Sequence, residues 1–139
     1  MCDMLKLARA DIDGAIFYMG RTDDEVYLNF SGYHLSQAAE KLIKLYLLEE
    51  GLAPPKTHKI YELCNFMKNK GVFDAMFDEI RNMALEIDVW SSETRYNINP
   101  LAALDRLKHA LKIITDIYEY ENNVILKIPD IKTLDPDRR

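Results

Sequence analysis

The sixteen residues from Tyr33 to Leu48 constrain the fold more than any other stretch of the chain. Wound as an α-helix, Leu35, Ala38, Ala39, Leu42, Ile43, Leu45 and Tyr46 make an apolar face wider than a surface helix needs, so this helix must be buried against several neighbours. One narrow seam stays polar: Tyr33, Gln37, Glu40, Lys41 and Lys44 recur at spacings of three, four and one. The seam is either the solvated edge of a bundle helix or the floor of a polar site. Glu40 and Lys44 stand in the favourable i,i+4 order, which contributes about 0.2–0.5 kcal/mol on an exposed helix and accounts for the first reading. Tyr33 on the same line, and Leu47 and Leu48 beside it, favour the second.

The flanking pattern is helical too. Leu5, Ala8, Ile12, Ala15, Ile16 and Met19 keep a three-and-four rhythm over Asp3–Met19, with Asp11 and Asp13 on the other side. A polar turn, Gly20 to Glu25, leads into the central helix, which starts near Glu25–Asn29 and ends at Gly51, a residue suited to a left-handed C-cap. Pro54-Pro55 forces an extended connector. Thr57 is placed as the N-cap of a third helix with Ile60, Leu63, Cys64 and Met67 inward, broken at Gly71. Phe73, Met76, Phe77, Ile80, Ala84 and Ile87 predict a single fourth helix to about Trp90. Ser91–Asn99 has no period and reads as a loop. Asn99-Pro100 restarts a last helix, with Leu101, Leu104, Leu107, Leu111, Ile114 and Tyr118 inward, to about Glu121.

This pattern predicts an all-α, up-and-down bundle of four main helices plus a short extra one. At 139 residues it forms one domain over 1–123, with 124–139 as a C-terminal tail, either loose or docked on a partner. A net charge of −5 gives no global basic field of the kind that nucleic-acid binders advertise. Cys2 and Cys64 are too few for a disulfide framework and lack metal-ligand spacing, which fits a reducing compartment. The first residues carry acids where a signal peptide has a basic start, and no window approaches the roughly 18 uncharged apolar residues of a membrane span. A cytoplasmic protein with no membrane segment, metal or cofactor is expected.

Two further pieces carry chemistry. Arg95-Tyr96 reads as a loop arginine over a packed tyrosine, or as a guanidinium offered to phosphate beside a ring on which a base stacks. His58, next to a helix start, reads first as a packed, hydrogen-bonded histidine and second as a site residue. His34 and His109 have no partner at metal-ligand spacing. Phosphate-binding glycine loops, nucleophile elbows, zinc spacings and calcium loops are all absent from the sequence.

Taken together, Tyr33-His34-Leu35-Ser36-Gln37-Ala38-Ala39-Glu40-Lys41-Leu42-Ile43-Lys44, then Thr57-His58-Lys59, then Arg95-Tyr96 resemble a HEPN domain (higher eukaryotes and prokaryotes nucleotide-binding) over about residues 3–122. The resemblance implies a helical bundle, paired as a homodimer, of the small stand-alone prokaryotic type often encoded beside a minimal nucleotidyltransferase, some pairs acting as toxin and antitoxin. It implies nucleotide, RNA or partner binding, with Tyr33, Gln37, Glu40, Lys44, His58, Arg95 and Tyr96 as the site. In one branch of the family it implies metal-independent RNA cleavage by an Arg followed four to six residues later by His. Here those positions after Arg95 hold Asn99, Pro100 and Leu101. That departure also removes the tyrosine-bearing extension on which partner-mediated modification would act. That departure favours the nucleotide-binding or partner-binding branch over an enzyme and leaves the enzyme question open. The rivals are an RNase toxin centred on Arg95 and a scaffold dimer without ligand.

Overall fold

The structure, a computed structural model, describes residues 3–21, 23–93 and 96–127, the last three of these by backbone alone. Six α-helices follow in order: α1 (Asp3–Met19), α2 (Val26–Glu49), α3 (Ile60–Asn69), α4 (Asp78–Asn82), α5 (Ala84–Ser92) and α6 (Leu104–Lys127), with a 3₁₀ turn at Ala75–Phe77 before α4. No strand occurs among the described residues. No helix is long and apolar enough to cross a membrane, among the described residues.

Helix α2 is the spine of this all-α bundle and touches α1, α3, α5 and α6. Its predicted apolar face is buried in full, from Leu35 to Leu48. Two glycines set the close approaches. A Cβ on Gly32 would sit 3.0 Å from the indole of Trp90, so α5 lies almost on the α2 backbone, and Gly14 of α1 passes under the His34 ring. Helices α2 and α3 both end on a left-handed glycine, Gly51 (φ 78°) and Gly71 (φ 73°). In each, the N–H of the next residue donates back across the turn, Leu52 to Leu47 and Val72 to Met67, which satisfies carbonyls that the helix end would leave open.

The sequence-based reading needs four corrections. The fourth helix is not one rod. A straight helix over Phe73–Trp90 would run roughly 27 Å, whereas the chain bends at Asp74 and again at Met83 to keep Phe77, Ile80, Met83, Ala84, Ile87 and Trp90 all in the core. Thr57 does not cap α3. The first N–H groups of that helix, on Ile60 and Tyr61, are taken by the Asp88 carboxylate of α5 at 2.7 and 3.2 Å. Asn99-Pro100 does not start the last helix, which begins at Leu104 and continues to Lys127. Ile16, Leu101 and Leu104, read as core, are 50%, 38% and 41% exposed. Residues 128–139 lie outside the described residues.

Candidate functional site

The polar seam of α2 survives as a half-buried line between α1 on one flank and the residues before α3 on the other. Glu40 is its centre. Its side chain is only 10% exposed, and a single oxygen, Oε2, receives both Lys44 Nζ and His58 Nδ1 at 2.9 Å. Because a carboxylate only accepts, Nδ1 of His58 carries the proton in this contact and Nε2 is left to face outward on a ring that is 81% exposed. The other oxygen, Oε1, is buried and accepts no hydrogen bond among the described residues. A buried acceptor without a donor costs on the order of 1–3 kcal/mol, so such groups call for an explanation. Lys44, at 14% exposure, offsets the buried charge.

Helix geometry explains the grouping. Tyr33, Gln37, Glu40 and Lys44 fall on one face because their spacings close one turn each, and Tyr33 and Gln37 are half-buried there. His58 is delivered by the segment before α3, which the Asp88 cap and the Thr57 hydroxyl hold. The hydroxyl accepts from Lys59 N and donates to Glu62. Burial pushes the Asp88 carboxyl up, against the opposing pull of the two N–H groups it caps.

At the other end of the seam, one turn before Tyr33, stands Asn29, fully buried. Its amide donates to the carbonyls of Asn97 and Asn99 at 2.9 and 2.8 Å, and its oxygen accepts from Leu101 N at 2.8 Å. This clamp takes the groups a helix start at Asn99-Pro100 would use, which is why α6 begins later. It also ties the segment following Arg95-Tyr96 to the seam, roughly 16 Å along α2 from Glu40. Tyr96 is 83% exposed; Arg95 lies outside the described residues. The structure thus unites Glu40, Lys44 and His58, places Gln37 and Tyr33 on the same face, and anchors the segment next to Tyr96 at its far end.

Sequence reasoning missed Asn29, Asp11 and Asp88. Asn29 had a signal, a lone amide inside the apolar run Val26-Tyr27-Leu28-Asn29-Phe30. Asp11 looked like one of two solvated acids on α1, yet it is 15% exposed and binds His34 at 3.0 Å and Lys41 at 2.7 Å. Asp88 had none, because its role depends on α3 packing over α5. A cleft of about 440 Å³ also opens beside His58, lined by the apolar Tyr61, Leu85 and Val89 and the polar Lys59, Ser92 and Glu93. Burial pushes the Cys64 thiol up to about 11, which disfavours the nucleophilic thiolate. No group of three or more metal-binding side chains converges among the described residues.

Among known proteins, the HEPN domain family matches residues 4–124. No curated protein and no solved structure matches the chain.

Proposed function

Because this chain belongs to the HEPN domain family, whose match spans nearly all of its helical core, we propose that it is a nucleotide- or partner-binding module. In this reading it works in the cytoplasm as a homodimer beside a minimal nucleotidyltransferase, in a toxin–antitoxin-like pairing. The observation that supports ligand binding most directly is the buried Oε1 of Glu40, which accepts no hydrogen bond while Lys44 and His58 share the other oxygen. Lys44 and His58 on one oxygen fix the carboxylate and leave Oε1 without a donor, and in this reading the side chains that cover Oε1 shift to admit one. A base amine or a ribose hydroxyl supplies that donor.

Around this acceptor, Gln37 adds a second amide contact and Tyr33 an aromatic face. His58 presents Nε2 at the mouth of the adjoining cleft. Arg95 is assigned to phosphate and Tyr96 to stacking, on the chemistry of their side chains. The partner-binding form of the proposal uses the same surface, with a donor from the nucleotidyltransferase in place of the nucleotide.

Titration calorimetry with ATP, GTP and a short single-stranded RNA tests the reading, with Glu40→Gln as the control. Binding in the wild type that weakens about tenfold or more in the variant fits the loss of one charge-assisted hydrogen bond. An absence of heat with all three at millimolar concentration sinks the nucleotide half. Failure to co-purify with a co-expressed minimal nucleotidyltransferase sinks the other half.

A further inference from the structure

Glu40 and Lys44 are placed by α2 itself, whereas His58 stands two residues ahead of α3 on a side chain that is 81% exposed. Its position opposite Glu40 therefore depends on where α3 begins. Lys59, at the N-cap of that helix, has an extended backbone (φ −92°, ψ 122°) and makes no side-chain hydrogen bond to it. A helix start leaves its first N–H groups open. Here those of Ile60 and Tyr61 donate to Oδ1 and Oδ2 of Asp88, at 2.7 and 3.2 Å. A local cap would fix α3 to the turn that precedes it; this one fixes it to α5.

Helix α5 is tied in turn to α2. Trp90, two residues beyond Asp88, is fully buried, and its indole lies so close over Gly32 that a Cβ there would come within 3.0 Å. In a close-packed interior α5 cannot move toward α2 without displacing that ring. A circuit therefore closes on the seam. Gly32 of α2 receives Trp90, Asp88 on the same helix holds Ile60 and Tyr61, and His58 just ahead of them returns to α2, with Nδ1 2.9 Å from Oε2 of Glu40. The upstream side is braced separately, by the Thr57 N–H on the Pro55 carbonyl at 2.9 Å.

We infer that Asp88 is a positioning residue of the Glu40 site: by capping α3 from α5 it sets His58 against Glu40, which keeps a proton on Nδ1 and turns Nε2 outward. The inference rests on the reading of Glu40 as the centre of a binding site and adds to it a residue that acts only through His58. A partner on one ring nitrogen selects the tautomer of a histidine. Free histidine side chains carry the proton mostly on Nε2, so the Nδ1–H form is imposed by the Glu40 contact and lasts only while the ring is held within reach. Asp88→Ala frees both amides, lets the first turn of α3 fray and releases His58 with it. Asp88→Asn keeps one acceptor oxygen and has an intermediate effect.

Nitrogen-15 NMR of the full chain tests this, in mildly alkaline solution where imidazole is neutral, with the His58 signals assigned by their loss in His58→Gln. The wild type should show the proton on Nδ1 of His58, Asp88→Ala should move it largely to Nε2, and Asp88→Asn should fall between. Binding of ATP, GTP or a short single-stranded RNA should weaken several-fold in the same order. Met67→Ala, a core truncation on α3 itself, separates position from stability: it should lower the urea midpoint yet leave the His58 signature as in the wild type. A wild type already protonated on Nε2, or a signature unchanged in both Asp88 variants, overturns the inference. An equal change in Met67→Ala overturns it too. A signature that moves as expected in a protein that binds none of the three probes leaves Asp88 holding His58 and sinks the ligand reading. Binding that responds to Glu40→Gln but not to Asp88→Ala keeps the ligand reading and removes Asp88 from it.

Discussion

Two acids line the flanks of helix α2, the half-buried Asp11 of α1 and the buried Glu40, and they are satisfied in opposite ways. Asp11, reaching over from α1, uses both oxygens: Oδ1 meets His34 and Oδ2 meets Lys41. Glu40, on α2 itself, receives both Lys44 and His58 on Oε2 and leaves Oε1 buried with no donor among the described residues. The first arrangement is closed and pins two helices together. The second is also charge-balanced but has one acceptor over. In the proposed function the spare oxygen, and not burial or ion pairing, marks Glu40, so that a structural acid on α1 is set apart from a binding acid on α2.

The sharpest way to break this contrast is to remove each acid in turn. Asp11→Ala strands Lys41 and His34, which are 21% and 30% exposed, and deletes two charge-assisted bonds between α1 and α2. It should destabilise by about 3 kcal/mol, the lower end of the cost of breaking a buried pair, because both partners retain some solvent. Urea midpoints at unchanged slope measure it. Glu40→Gln keeps an oxygen for Lys44 and should cost less than about 1 kcal/mol while weakening ligand binding about tenfold. If Glu40→Gln is the more destabilising of the two, Glu40 is a structural residue and the contrast collapses.

The next effect in size concerns the far end of the seam. Asn29→Ala removes three hydrogen bonds at a fully buried position and should destabilise by about 2 kcal/mol. The Leu101 amide loses its acceptor, so its hydrogen exchange should accelerate well beyond that of the α2 core amides. The same variant should weaken ligand binding if Arg95-Tyr96 belongs to the site, since Asn29 fixes the segment that follows them. Binding left intact would detach that loop from the seam.

How much of this was readable in the sequence follows from which interactions are local. The ranges of α1 and α2, the glycine stops at Gly51 and Gly71, and the seam from Tyr33 to Lys44 were legible because a 3.6-residue period and a left-handed cap are written in neighbouring residues. The motif order also placed His58 as a candidate, though its contact with Glu40 depends on how the segment before α3 folds back. The capping of α3 by Asp88 and the clamping of 97–101 by Asn29 span 28 to 72 residues, and no spacing rule encodes them. The fourth helix was misread for a related reason. Periodicity reports that Phe77, Ile80, Ala84 and Ile87 face inward, but not that the inward direction turns as the chain follows the curve of the core.

A third acid tests whether a spare oxygen signals function in general. Glu49, the last residue of α2, also has a buried Oε1 without a donor among the described residues, and its carboxyl shares a hydrogen bond with the fully buried Glu121 of α6. Burial pushes Glu49 up from the ordinary value of 4.5, and neighbouring Glu50 adds to the rise. With the folded value above the unfolded one, the stability this pair lends is complete below about pH 4.5 and is lost as pH climbs through the raised value. At neutral pH the pair is therefore a burden, and the glutamate also sits at the negative end of a helix dipole. Glu49→Gln should melt slightly higher at pH 7, by less than about 1 kcal/mol once solvent screening of a half-exposed side chain is allowed for. The gap should close near pH 4. The hydrogen bond with Glu121 thus accounts for Glu49, whereas Glu40 is held by Lys44 and His58. If Glu49→Gln instead impaired ligand binding as strongly as Glu40→Gln does, the open oxygen of Glu40 would lose its standing as the mark of the site.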